Sequence, residues 1–174
     1  MDIISHGLYG GVVFGRKNRR SFWWSFFFGI APDFFSFGLY MILAFLGWSN
    51  HPSFLSGRHP DPAEVPQYVH VLYNVTHSLV IFALVFGVVW LVRRKPLYEM
   101  LAWPLHILVD IPTHADRFFP TPFLWPVSDF RISGHPWATP EIFIPNVILL
   151  VALYGWFYWW QPYRKQRAEK ALQK

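Results

Sequence analysis

The sequence contains no cysteine. That absence excludes disulfides, zinc fingers, iron–sulfur clusters and thiol nucleophiles, so any metal site must be built from His, Asp, Glu and main-chain oxygen. Charge is scarce as well: 14% of the 174 residues are charged, and Asp plus Glu number only 10, whereas soluble domains carry roughly 25% charged residues. Hydrophobic residues make up 53% and aromatics 21%, the composition of a membrane protein. No internal repeat of solenoid type is visible, and the length suits one domain. A basic stretch followed by an apolar core and a small-residue cleavage site is also lacking at the N-terminus, so no removable leader is expected.

The net charge of +5 does not point to nucleic acid, because it is not spread as a basic stripe on a soluble face. Twelve of the 15 Lys and Arg residues fall in three clusters: Arg16, Lys17, Arg19 and Arg20; Arg93, Arg94 and Lys95; and Arg164, Lys165, Arg167, Lys170 and Lys174. Each cluster borders an apolar run, the pattern of cytoplasmic loops under the positive-inside rule. The apolar runs 22–48, 76–92, 97–113 and 142–160 read as spans, with a shorter apolar helix at 3–15 that crosses or re-enters. Trp156, Tyr158, Trp159 and Trp160 form an interfacial belt on the last span. Run 22–48 is too long for one straight crossing, and Pro32 is expected to kink or break it before Asp33. Loops 49–75 and 115–141 then lie on the opposite side, with only Arg58, Arg117 and Arg131 in them. The expected fold class is an all-α integral membrane bundle of four to five helices. Residues 1–160 form one membrane-embedded domain, and 161–174 a basic cytoplasmic tail able to lie on anionic lipid.

Against this background His106-Ile-Leu-Val-Asp110-Ile-Pro-Thr-His114 stands out. Residues four apart share a helix face, so His106 and Asp110 stand one above the other. Ionisable side chains are costly in hydrocarbon and mark functional sites when they cluster there. Helical rise from the nearest basic cluster puts His6 at about 15 Å, Asp33 at about 20 Å, His77 at about 24 Å, and His106 and Asp110 at about 16 Å and 22 Å. Residues from four segments therefore share a depth. The candidate ligands are His6, Asp33, His77, His106 and Asp110, with His114 as a sixth. Imidazole with carboxylate suits zinc, manganese or iron, and a carboxylate can bridge two ions; Asp110 is the expected bridge. Pro112 is expected to disturb the helix after Asp110, leaving His114 free to turn inward or to solvent.

Each residue also has a structural reading. His6 can be a hydrogen-bonded intramembrane histidine, Asp33 a helix cap, and His77 the polar start of a span, with Thr76 or Asn74 as its cap. His70 is expected outside the apolar span and solvated. Loop polarity accounts for His51, His59 and His135. Runs such as Phe22-Trp23-Trp24 and Phe26-Phe27-Phe28 read as lipid-facing packing.

Ser5-His6-Gly7-Leu8, Gly29-Ile-Ala-Pro-Asp33, Thr76-His77-Ser78-Leu79, His106-Ile-Leu-Val-Asp110 and Leu124-Trp125-Pro126-Val127-Ser128 resemble, in order, the motifs of the bacterial membrane-bound metal-dependent hydrolases. That family is distantly similar to zinc-dependent phospholipase C and related single-strand nucleases, and the resemblance spans about 6–134. It implies metal ligands at His6, Asp33, His77, His106 and Asp110, one or two divalent ions with zinc first, and location in the bacterial cytoplasmic membrane with the site towards the extracytoplasmic side. Two departures stand in this chain: Pro32-Asp33-Phe34-Phe35 lacks the second carboxylate of the family's Pro-Asp-x-Asp, and Leu72-Tyr73-Asn74 replaces His-Arg-Gly. The resemblance further implies hydrolysis of a phosphoester or other ester of a membrane-associated or lipid substrate, in which Asp33 either accepts the proton of an activated water or completes a second metal shell. Arg117 and Arg131, in the loop over the site, are candidate phosphate clamps, and Leu124-Trp125-Pro126 is expected to rest on the lipid interface. Three readings compete: a metal-holding transport or binding protein, a haem protein with paired histidines, and a structural protein with a relict site.

Overall fold

A computed structural model describes residues 1–48, 62–160 and 162. His51, Arg58, His59 and the basic residues of the C-terminal tail lie outside the described residues. The chain is all-helical, with no strand among the described residues. Its α-helices are α1 (Ile3–Phe14), α2 (Arg19–Asp33), α3 (Leu39–Phe45), α4 (Gln67–Thr76), α5 (Leu79–Arg93), α6 (Ala102–Thr113) and α7 (Pro140–Tyr154). Short polar residues begin several of them, as capping chemistry requires. Asp2 accepts from the Ser5 amide at 2.9 Å, Asn18 from the Ser21 amide at 2.9 Å, and Ser78 from the Val80 and Ile81 amides at 3.1 Å. The cap of α5 is thus Ser78, not Thr76 or Asn74.

Two helices are long and apolar enough to cross a membrane, Arg19–Phe45 and Pro140–Trp160. A third crossing arises if α4 and α5, bent by 61° at their joint, count as one. Pro32 does not break the first span. The helix runs through it, and a π-helical turn follows at Phe34–Gly38. A proline removes one N–H and displaces one carbonyl, whereas ending the helix there leaves several main-chain groups unpaired, which is costly away from water. The wide turn takes up the slack, and the Ser36 hydroxyl donates to the Pro32 carbonyl at 2.8 Å.

The run 97–113 is not a full-length helix. Its first part is a 3-10 turn, Tyr98–Leu101, and α6 has only 12 residues. Pro112 lies inside α6, which ends one residue later with His114 extended. Part of the expected loop 49–75 is instead α4. There His70 is half-buried, with its ring stacked on Phe119 at 4.7 Å and Nε2 at 3.1 Å from the Pro62 carbonyl, so it is packed rather than solvated.

Helix α1 packs chiefly on α2, and α6 lies against both. Small residues permit this: a Cβ at Gly29 would meet the His6 carbonyl at 2.5 Å, and one at Gly10 the Ser25 carbonyl at 2.5 Å. Close backbone approach through small residues is how helices associate where lipid removes the hydrophobic drive. A separate apolar cluster of Tyr40, Val65, Val69, Tyr73 and Phe119 fastens α4 to α3 and to the loop after α6. Outward faces of the span helices are apolar: Ile42, Leu84, Val88, Ile148 and Val151 are all exposed. That surface suits hydrocarbon and not water.

Candidate metal centre

Three parts of the chain deliver four ionisable side chains to one point. Asp33 ends α2 just before the π-helical turn, His77 sits at the α4–α5 joint, and His106 and Asp110 share a face of α6. One ligand atom from each lies within 4.8 Å of the others. His106 Nε2 is 3.0 Å from Asp110 Oδ2, 3.1 Å from His77 Nε2 and 3.7 Å from Asp33 Oδ1. His77 Nε2 is 3.3 Å from Asp33 Oδ1 and 3.6 Å from Asp110 Oδ2. Tetrahedral zinc, with bonds of about 2.0–2.1 Å to nitrogen and oxygen, separates its ligand atoms by roughly 3.3–3.4 Å. The observed separations scatter around that value.

The hydrogen bonds behind the two histidines decide which ring nitrogens face inward. A carbonyl can only accept, so His106 Nδ1, 2.7 Å from the Gly29 carbonyl, carries a proton and donates it. His77 Nδ1 stands 3.2 Å from the Tyr73 carbonyl and 3.0 Å from Thr76 Oγ1. With Nδ1 as the donor in both neutral rings, both Nε2 atoms present lone pairs to the centre. Two lone pairs 3.1 Å apart repel unless a cation or a proton lies between them. Asp110 Oδ2 is also buried without a hydrogen bond of acceptable geometry, although His106 Nε2 is close. Lone pairs that converge on one point are what a shared divalent ion requires, and main-chain carbonyls behind ligating histidines are its usual support.

Asp110 faces two ways. While Oδ2 meets His77 and His106, Oδ1 lies 2.9 Å from His6 Nε2 and 3.3 Å from His114 Nδ1, and the Met1 amine pairs with it. His6 is stacked on His106, with ring centroids 3.6 Å apart, and its Nε2 also lacks a well-formed hydrogen bond. His6 and His114 thus meet one oxygen of Asp110, and His77 and His106 the other. Of the expected ligands, Asp33, His77, His106 and Asp110 form one cluster, and His6 and His114 adjoin it through Asp110. Arg117 and Arg131 are exposed, and no ion pair joins either to the cluster among the described residues.

Several supports lay outside the sequence expectations. The Trp103 indole donates to the Thr76 carbonyl at 2.6 Å and so ties α6 to the last turn of α4. Tyr73 stacks on His77, ring centroids 3.9 Å apart, and its hydroxyl donates to the Phe119 carbonyl at 2.9 Å. Spacing offered a signal for Tyr73, which precedes His77 by four residues on one helix. Leu124-Trp125-Pro126 braces the site: the Ser78 hydroxyl donates to the Trp125 carbonyl, and the Leu79 amide to the Phe123 carbonyl at 3.0 Å. The loop thus fixes the start of α5 beside His77.

Access to the cluster is narrow. The side chains of His77, His106 and Asp110 are fully buried, and that of Asp33 is 18% exposed. The buried group can hold a metal ion, and its exposed edge is Asp33, next to which Phe34 and Phe35 are exposed. No family model, curated protein or solved structure matches the chain.

Proposed function

We propose that this chain is a membrane-bound metal-dependent hydrolase acting on a phosphoester or other ester of a membrane-associated substrate. It joins the ordered motifs, which resemble the bacterial membrane-bound metal-dependent hydrolases, to one observation: four buried or half-buried His and Asp donors whose ligand atoms lie within 4.8 Å of one another. It takes the fold as a four-to-five-helix bundle in the bacterial cytoplasmic membrane, with the site towards the extracytoplasmic side. Zinc comes ahead of manganese or iron, because an imidazole and carboxylate set at these separations suits it.

A divalent ion bound here supplies an acidified water and polarises the scissile group. The chain's own groups divide the remaining work. His77 and His106 hold fixed tautomers through the Tyr73 and Gly29 carbonyls. Asp110 offers both oxygens and is the carboxylate we assign as the bridge between the two halves of the site. Asp33 meets both histidines through Oδ1, leaving Oδ2 to accept a proton. Apolar Phe34 and Phe35 beside this opening favour a substrate that arrives from lipid. Arg117 and Arg131 receive no role in this account.

The burial of the cluster favours a second reading, a non-catalytic metal-binding or structural membrane protein. Turnover separates the two. Detergent-purified protein loaded with zinc and presented with phospholipids and soluble phosphoesters is expected to hydrolyse one of these classes, and Asp33→Asn to lose roughly 10²–10⁴-fold in rate. Stoichiometric metal with no turnover on any class supports the second reading.

A further inference from the structure

The basic end of the two span helices carries a feature that the metal centre does not use. A groove of about 500 Å³ lies between the α1–α2 turn and the last turns of the second span, lined by Arg16, Arg19, Phe22, Trp23, Tyr154 and Tyr158. Its walls are fixed. The Tyr154 hydroxyl donates to the Leu8 carbonyl at 3.0 Å, Tyr154 and Tyr158 stack at 5.4 Å, and the Arg16 guanidinium sits 4.1 Å over the Phe157 ring. A guanidinium held by its face keeps its N–H fork free in the ring plane, the geometry that takes phosphate bidentately.

No ion pair engages Arg16 or Arg19 among the described residues. Glu99 reaches the first turn of α2, but there it accepts from the Ser21 hydroxyl at 2.7 Å. Asn18 already caps that turn, so the groove's charge resides in the two guanidiniums and not in the helix end. Charge complementarity decides the occupant. The C-terminal tail is strongly basic, with Arg164, Lys165, Arg167, Lys170 and Lys174 against a single Glu169, so like charge disfavours its docking here. The groove lies between the start of one candidate span, at Arg19, and the last turns of the other, at Tyr154 and Tyr158, the level at which a spanning helix meets headgroups. Aromatic walls below paired guanidiniums match acyl chains below a phosphate.

We propose that this groove binds one anionic phospholipid, its phosphate between Arg16 and Arg19 and its acyl chains along Phe22, Trp23 and Tyr158. The site is independent of the hydrolase reading and lies apart from the metal centre.

The test is native mass spectrometry of the full-length protein in detergent, titrated with phosphatidylglycerol or phosphatidylcholine. Wild type is expected to retain one phosphatidylglycerol at least about tenfold more tightly than phosphatidylcholine. The doubly substituted R16Q/R19Q chain is expected to lose that preference, while R93Q/K95Q, in another basic cluster, keeps it. R16K/R19K preserves charge and insertion but loses the planar fork, and is expected to fall between the two. Equal retention of both lipids, an equal loss in R93Q/K95Q, or displacement by excess inorganic phosphate overturns the proposal. So does a chain ending at residue 162 that gains a lipid which the full chain lacks, since the tail is then the occupant.

Discussion

The His106 imidazole donates from Nδ1 to the Gly29 carbonyl at 2.7 Å. This one contact ties α6 to α2 and turns Nε2 towards Asp33, His77 and Asp110. Gly29 serves it twice, by offering the carbonyl and by lacking a Cβ, which would stand only 2.5 Å from the His6 carbonyl of α1. Gly29→Ala is expected to force α1 and α2 apart and lower stability by about 1–3 kcal/mol, the usual cost of overpacking. Thermal unfolding in detergent measures it; an unchanged midpoint contradicts the packing described.

Trp103→Phe keeps the ring's bulk and removes the donor that holds the Thr76 carbonyl at 2.6 Å. Since that bond fixes the turn preceding His77, metal affinity is expected to fall about tenfold, as for other residues that orient ligands. A competition titration against a fluorescent chelator reads the change, and unaltered affinity removes Trp103 from the support.

Ser78 caps α5 and also reaches the Trp125 carbonyl. Ser78→Ala is expected to cost about 1 kcal/mol through the lost cap. Ser78→Thr, which keeps a hydroxyl, should recover most of this by the same unfolding assay. Failure of threonine to do so points to packing and not to the hydrogen bonds.

Asn146 is the buried polar residue of α7. It donates to the Ser5 hydroxyl at 2.9 Å, accepts from the Tyr9 hydroxyl at 2.9 Å, and so clips the second span to the helix that carries His6. Asn146→Leu is expected to destabilise by about 0.5–2 kcal/mol, the range measured for interhelical hydrogen bonds in membranes. Metal binding by the Asp33, His77, His106 and Asp110 group is expected to survive, because Asn146 touches none of them. Loss of metal without loss of stability contradicts that separation.

The sequence made the candidate residues legible because hydrocarbon penalises unpaired charge. His6, Asp33, His77, His106 and Asp110 stood out as ionisable residues in apolar runs, and the four-residue spacing of His106 and Asp110 gave a shared face. Helix boundaries were harder. The apolar stretch around His77 hid a 61° bend, and Tyr98–Leu101 formed a 3-10 turn within a run that composition alone reads as continuous. Pro32 carried a breaking signal that the surrounding helix overrode through the π-helical turn. Main-chain acceptors such as the carbonyls of Gly29 and Tyr73 have no residue signature at all, so the groups that fix the histidine tautomers emerge only from the fold.

A convergent centre also predicts how the protein responds to chelation. A ligand that binds only the folded state adds about 2.7 kcal/mol at a hundredfold excess over its dissociation constant. Removing zinc with a strong chelator is therefore expected to lower the unfolding midpoint of wild type and to leave that of His106→Ala unchanged.

The most direct measurement is the metal content of purified wild type beside Asp110→Asn and His106→Ala, read by inductively coupled plasma mass spectrometry on folded, monodisperse samples. Wild type is expected to hold one or two equivalents of a divalent transition metal, zinc foremost, and either variant less than a tenth of that. Wild type without metal after reloading, or variants that bind as well as wild type, contradicts it.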